Sequence, residues 1–357
     1  MKKIFVTGAS GFIGSFIIEE ALRRGFDVYA AVRKTTNRQY LKDERIHFVD
    51  FDISSKESLM ASIKGMKWDY IVHAAGATKC LRREDFFRTN TLGTRFFAEA
   101  LIELDAVPEK FIFLSSLSAF GAVREKMVQS SKFKVQDSKF KAYSEILDTD
   151  TPQPNTAYGE SKIKAEEILD KMGDAMNIVT LRPTGVYGPR EKDYFLMVDS
   201  IKKHVDFAVG YKPQEITFVY VQDLVNAVFL AIEKGLGGKK YFISDGNVYR
   251  STDFSNLIRK ELSKFKVQGS KFKVQSFMIR IKVPIWFLRL VCSCGEIWAK
   301  MTGKITALNK DKFNILKQRN WRCDITPAME DLGYKPEYDL ERGVRLTIEW
   351  YKKEGWI

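Results

Sequence analysis

The stretch Thr7-Gly8-Ala9-Ser10-Gly11-Phe12-Ile13-Gly14 follows an apolar run, Lys3–Thr7, and opens a helical pattern that continues to about Arg24. Gly8 permits a tight turn, Gly11 lets the backbone approach a pyrophosphate, and Gly14 allows the helix to pack closely on its strand. Gly8, Ser10, Gly11, Phe12, Ile13 and Gly14 therefore form a candidate dinucleotide cradle, with the helix-start amides facing the phosphates. Glycine triplets also serve plain strand-to-helix packing. The order strand, loop, helix is what makes this one a binding motif.

Outward from that loop, short β-branched runs alternate with longer helical ones. Strands are expected at Lys3–Thr7, Asp27–Val32, Ile46–Val49, Tyr70–His73, Lys110–Ser115 and Ile178–Arg182. The runs around 4–6, 71–72 and 111–114 are apolar on consecutive positions, as in strands covered on both faces. The expected fold is α/β, a Rossmann-type doubly wound parallel sheet followed by a smaller substrate-binding region. The first domain is read as 1–182 and the smaller region as mainly 183–357, with 215–245 returning to the first. A helix is expected over Val221–Glu233.

With 357 residues, 45% of them hydrophobic, the chain can bury a sizeable core, which excludes a fibrous or wholly disordered protein. The 58 Lys and Arg against 45 Asp and Glu give +13, which at face value suggests an anionic partner. Much of that charge is local. SKFKVQ at Ser131–Gln136 is followed by SKFK at Ser138–Lys141, and Ser263–Gln268 and Ser270–Gln275 spell SKFKVQ again. The two segments, 131–141 and 263–275, carry seven of the thirteen net charges. They fall short of the three or four heptads a coiled coil needs and read as low-complexity insertions in surface loops. An amphipathic partner-binding ribbon is the other reading. No nucleic-acid partner is expected.

The end of the second strand bears on cofactor choice. An acid there would bond the ribose 2′-hydroxyl of NAD, and a basic residue suits the 2′-phosphate of NADP. The chain reads Tyr29-Ala30-Ala31-Val32-Arg33-Lys34, so Arg33 favours NADP over NAD, although Arg33 and Lys34 also fit a solvated loop. After the third strand, Asp52-Ile53 lies where Asp52 could meet the adenine amino group or cap the helix starting near Ser54 or Ser55.

Tyr158-Gly-Glu-Ser-Lys162 begins a second helical run, KIKAEEILDKM. Spacing by four puts both side chains on one face, and an ammonium beside a phenol favours the phenolate. Such a pair can move a proton to or from a substrate hydroxyl. The run FIFLSSLSAFG brings Ser115, Ser116 and Ser118 to the carboxyl end of a buried strand, the edge where open α/β sheets bind ligands. A serine there could orient the reacting oxygen or cap a turn.

The glycine loop, HAAG at His73–Gly76, Asn90 before TLGT, the serine strand, YGESK and LRPTGVYGP together resemble the extended short-chain dehydrogenase/reductase family, also called NAD-dependent epimerase/dehydratase. The likeness spans nearly the whole chain outside the two insertions. It implies Tyr158 as general acid/base, Lys162 as the residue that holds the nicotinamide ribose and tunes the tyrosine, Ser116 as the orienting serine, and Asn90 as support for the site. It further implies that Ala74, Ala75 and Gly76 pass the cofactor and that Pro183 and Val186 lie on its nicotinamide side. Dehydratases of the family add an acidic pair after the serine, whereas this chain has Leu117-Ser118. Arg182-Pro-Thr-Gly lacks the Asn of many sugar-nucleotide epimerases and is similar to the 3β-hydroxysteroid dehydrogenase and dihydroflavonol reductase branch.

The implied activity is hydride transfer between a nicotinamide and a secondary alcohol or ketone, with a hydrophobic or sterol-like substrate. A nucleotide-sugar epimerase and a noncatalytic dinucleotide-binding protein are the alternatives. Val283–Cys292, an aromatic stretch, could line an apolar pocket, dock to a membrane surface, or pack the smaller lobe. Four scattered cysteines fit a reducing compartment, and Cys292-Ser-Cys294 lacks zinc-site spacing, so no metal is expected. No spanning helix and no signal peptide are expected, which suggests a cytoplasmic protein. The sequence leaves a homodimer open.

Overall fold

The computed structural model describes residues 1–127, 143–264, 279–304, 306 and 308–357. The insertion at 131–141 lies outside them. Of 263–275, only Ser263 and Lys264 are described, as the end of a helix.

The main-sheet strands met first along the chain are β1 (Lys3–Thr7), β2 (Asp27–Val32), β3 (Ile46–Asp50), β4 (Tyr70–His73), β5 (Lys110–Leu114) and β6 (Ile178–Pro183). These are the six expected strands, with ends that move by one residue at β3, β5 and β6. The remaining strands are β7 (Gly185–Tyr187), β8 (Val205–Val209), β9 (Glu215–Ile216), β10 (Phe218–Tyr220), β11 (Lys240–Ile243), β12 (Tyr249–Arg250) and β13 (Ile279–Val283). β11 joins the main sheet, which is parallel throughout in the order β11-β6-β5-β4-β1-β2-β3.

The helices are α1 (Phe12–Arg23), α2 (Lys56–Ile63), α3 (Arg83–Phe86), α4 (Gly93–Glu103), α5 (Ala157–Asp170), α6 (Asp193–Lys202), α7 (Val221–Lys234), α8 (Ser251–Lys264), α9 (Ile285–Thr302), α10 (Lys310–Lys317), α11 (Thr326–Leu332) and α12 (Leu340–Lys353). Strand alternation explains the two layers they form. On β1, Ile4 and Val6 enter one fully buried cluster with residues of α1 and α7, while Phe5 enters another with residues of α2, α4 and α5. Phe5 stacks on Trp68 with ring centroids 4.1 Å apart. Burial of such a side chain contributes about 1.5–3 kcal/mol. This two-sided cover is why consecutive apolar positions mark the strands.

Beyond β6, short pairs replace the broad sheet: β7 with β10, β9 with β12, and β8 with β13. With α6, α8, α9 and α10 they make up a smaller lobe, in which α6 packs on α8 and β8 and α10 packs on α9. Asp339 caps α12 by accepting from the Arg342 amide, and the buried Leu340, Val344, Ile348 and Tyr351 face of that helix packs against α8.

Candidate active site

The glycine loop leaves β1 with Gly8 at φ +68°, a conformation that disfavours any residue with a Cβ. A Cβ there would also sit 2.8 Å from the Ala74 carbonyl carbon, so the loop touches the chain leaving β4. At Gly14 a Cβ would lie 2.1 Å from the Gly8 oxygen, which is the close helix-to-loop packing read from the sequence. Gly11 is the N-cap of α1 and provides no side-chain cap, so Phe12 and Ile13 open the helix with amides that no capping side chain covers. Ser10 stands half-buried at the tip. A dinucleotide fits this cradle: the backbone is held close and its amides converge without a side chain between them.

Asn90 sits in a one-turn π-helix, Phe87–Leu92, between α3 and α4. Such turns redirect side chains and gather at functional sites. Here Asn90 Oδ1 accepts from the Ala77 amide at 2.7 Å, and Nδ2 donates to the Ala77 carbonyl at 3.0 Å and to Ser161 Oγ at 2.9 Å. Asn90 thus ties the Ala74–Ala75–Gly76 stretch to α5. A Cβ on Gly76 would meet Lys162 Nζ at 3.1 Å and Asn90 Oδ1 at 3.2 Å, so glycine keeps this passage open.

Lys162 is buried and donates from Nζ to the Leu114 carbonyl at the end of β5, 2.8 Å away. Burial draws its ammonium down to about 8, with Glu166 pulling the other way. Burial pushes the Tyr158 phenol up to about 12, and hydrogen bonding with the Ser116 side chain pulls it back. Ser116 also caps the short turn Leu117–Ala119, its Oγ accepting from the Ser118 amide at 3.1 Å. The turn-capping reading of this serine is the one seen directly. The apposition of Ser116 and Tyr158 depends on Gly159, where a Cβ would lie 2.1 Å from the Ser118 carbonyl oxygen.

Two supports of the tyrosine escape a linear reading. Thr156 caps α5 by accepting from the Gly159 amide at 2.9 Å, while Asp311 of α10 accepts from the amides of Ala157 at 3.1 Å and Tyr158 at 3.2 Å. Behind Lys162, the fully buried Glu166 accepts from Ser115 Oγ at 2.5 Å and from the Arg182 guanidinium at 2.5 Å. The spacing of Glu166 four residues after Lys162 is the signal that could have found it.

The remaining candidates lie at the rim. Pro183 ends β6, and Val186 lies half-buried in β7, where it is the register partner of Val219 in β10. Arg33 is exposed at the end of β2, and Lys34 pairs with Asp50 at 3.5 Å. Asp52 accepts from the Ser54 amide at 3.0 Å, forming a turn, and the helix cap expected from it belongs to Ser55. Ile53 packs on Gly93 at the start of α4. Arg190, φ +73°, donates to Ser15 Oγ at 2.9 Å and to Glu19 at 2.6 Å, which pins the Gly188–Pro189 turn to α1.

Residues 4–244 match the model of the NAD dependent epimerase/dehydratase family. The chain belongs to that family. As a family member it is an NAD-dependent enzyme of the extended short-chain dehydrogenase/reductase type. A UDP-glucose 4-epimerase of Vibrio cholerae is 24% identical over 98% of this chain and 95% of its own. A sterol-4-alpha-carboxylate 3-dehydrogenase (decarboxylating) of Candida albicans is 24% identical over 99% of each chain, and one of Mus musculus is 26% identical over 98% and 90%. The solved UDP-glucose 4-epimerase of Thermotoga maritima superposes with a TM-score of 0.74 at 22% identity, covering 99% of each chain. The dTDP-glucose 4,6-dehydratase of Bacillus anthracis, solved with NAD, does so at 0.73 and 19%, covering 100% of this chain and 98% of its own. Among the described residues no helix is long and apolar enough to cross a membrane.

In this family member, His73 is structural. Its Nδ1 lies 2.7 Å from Thr7 Oγ1 and its Nε2 3.0 Å from Thr94 Oγ1, joining β1, β4 and α4. Burial first, then Lys162, lowers it from 6.5 to about 3. The unfolded chain therefore binds a proton that the folded one refuses, and stability falls as pH drops from about 6.5 toward about 3. The slope is about 1.4 kcal/mol per pH unit from this group. Urea unfolding at several pH values should show a shallower acid slope for His73→Gln than for the parent; equal slopes would refute the assignment.

Proposed function

We propose that this enzyme is an NAD(P)-dependent dehydrogenase or reductase of a hydrophobic, sterol-like secondary alcohol or ketone. The observation that carries the reading is the placement of Ser116, Tyr158 and Lys162 around one edge of the sheet, with Leu117 buried and Ser118 following it where family dehydratases have an acidic pair. In this reading Gly8, Ser10, Gly11, Phe12, Ile13 and Gly14 hold the pyrophosphate, and Asp52, Ile53, Ala74, Ala75, Gly76, Pro183 and Val186 line the remaining path. A bound nicotinamide supplies hydride exchange at the carbinol or carbonyl carbon. Tyr158 moves the proton at the substrate oxygen, Ser116 holds that oxygen by hydrogen bond, and Lys162 holds the nicotinamide ribose and tunes the phenol once the cofactor is bound. Asn90 keeps the passage at Gly76 aligned with α5. Residues 1–182 with 215–245 would bind the cofactor, and the rest of 183–357 would receive the substrate.

The sterol dehydrogenases among the relatives support the apolar substrate. The UDP-glucose 4-epimerases support a second reading, in which the same residues return the hydride within one turnover. Arg33, exposed at the strand end with no acid beside it in the second-strand window, supports NADP as the better cofactor. Both cofactors should be titrated by nicotinamide fluorescence, then hydroxysteroids and UDP-glucose screened by absorbance and product analysis. Net cofactor reduction with the alcohol is expected, and Arg33→Ala should weaken NADP about tenfold while sparing NAD. Interconversion of UDP-sugars without net cofactor turnover would instead establish the epimerase, and an Arg33→Ala effect equal on both cofactors would remove the NADP preference.

A further inference from the structure

Helix α9 has two apolar faces. Leu288, Cys292 and Ala299 turn into the smaller lobe and are buried. On the opposite side, Trp286, Leu290, Ile297 and Met301 recur at helical spacing and remain exposed, Trp286 at 70% and Met301 at 81%, with Trp298 beside them at 51%. One buried stripe is what docking onto the lobe requires. Phe207 and Ile281, register partners in the β8–β13 pair that leads into this helix, are exposed as well. An exposed apolar surface of this kind marks a contact site.

The charges around it identify the partner. Residues 279–304 hold Arg280, Lys282, Arg289, Lys300 and Lys304 but a single acid, Glu296. Arg280 is paired with Asp206 and Lys300 with Glu296, while Lys282, Arg289 and Lys304 are exposed. Aromatic and aliphatic side chains on one face, flanked by cations, suit a helix lying in the plane of an anionic bilayer, with tryptophan rings at the headgroup level. A symmetric contact with a second copy would bring two surfaces of the same net positive charge together, and like charges oppose it.

We propose that α9 and the adjoining β8–β13 face dock peripherally on an anionic lipid surface, placing the smaller lobe against the bilayer. The inference does not depend on which alcohol is oxidised. The full chain should sediment with mixed phosphatidylcholine and phosphatidylserine vesicles, bind pure phosphatidylcholine far more weakly, and be released by salt. Its tryptophan emission should shift to the blue on binding. Trp286→Ser combined with Trp298→Ser should reduce binding by about tenfold or more with NAD affinity retained as the sign of an intact fold. If that variant does not fold, Arg289→Glu with Lys304→Glu provides the same test by reversing charge. Failure of the parent to bind the anionic vesicles would overturn the proposal, as would equal binding by a folded variant. So would a concentration-dependent dimer, without vesicle binding, that the tryptophan substitutions dissociate.

Discussion

A Tyr158→Phe chain is expected to turn over its carbinol substrate about 10²–10⁴-fold more slowly, with NAD affinity unchanged. The substitution removes one oxygen and little else. The ring keeps its edge contact with Phe86, whose centroid is 6.4 Å away, and the Tyr158 amide keeps its bond to Asp311. Gly159 still seats α5 on the serine turn, and Lys162 still reaches the Leu114 carbonyl. What disappears is the hydroxyl that bonds the Ser116 side chain and is assigned the proton exchange with a bound alcohol. The loss should therefore fall on kcat, with KM little changed, because the phenol acts on the reacting oxygen as its charge changes. Steady-state kinetics beside a dinucleotide titration separate the two effects. Unchanged kcat would remove Tyr158 from its assigned role.

Glu166→Met is expected to destabilise the fold by about 3–5 kcal/mol, because it leaves a buried guanidinium without its counter-ion. The side chains of Arg182 and Glu166 are 4% and 0% exposed. Arg182 further packs against a pair of aromatic rings, 4.6 Å from the Phe120 centroid and 5.5 Å from that of Phe242. Lys240, 3.7 Å from Glu166, is engaged at the same time by Asp170 at 2.6 Å. Removing both charges is a different matter: Glu166→Met with Arg182→Met exchanges an ion pair for apolar packing and should recover most of the loss. Urea unfolding of the two single variants and the double variant completes the cycle. A single substitution costing less than about 1 kcal/mol would show the pair to behave like an exposed one.

The parts of the molecule that are contiguous in the chain are legible in it. The glycine loop, the serine strand and the YGESK helix start each have their physics within a dozen residues, so their elements and their placement on one sheet edge follow from local pattern. Glu166 was half visible, one turn beyond Lys162, but its partner Arg182 belongs to another strand and only the β5–β6 pairing brings the two together. Asp311 was invisible, since 153 residues separate it from the amide it caps and nothing in its surroundings marks the contact. The π-helix at Asn90 was hidden for another reason: a change of hydrogen-bond spacing within a helix leaves no trace in apolar periodicity. Gly121, shortly after Ser116, bridges to Gln153, shortly before Tyr158, and so pins the outgoing chain to the returning one, a contact no local pattern marks.

The cap that Asp311 lends to α5 also sets an order of events during synthesis. The cofactor loop, the serine turn and the catalytic helix all emerge from the ribosome well before residue 311. Until α10 follows, the helix that carries Tyr158 has only Thr156 to satisfy its first turn, and the amides of Ala157 and Tyr158 remain open to water. The first turn of the helix that carries Tyr158 is thus completed only when α10 arrives.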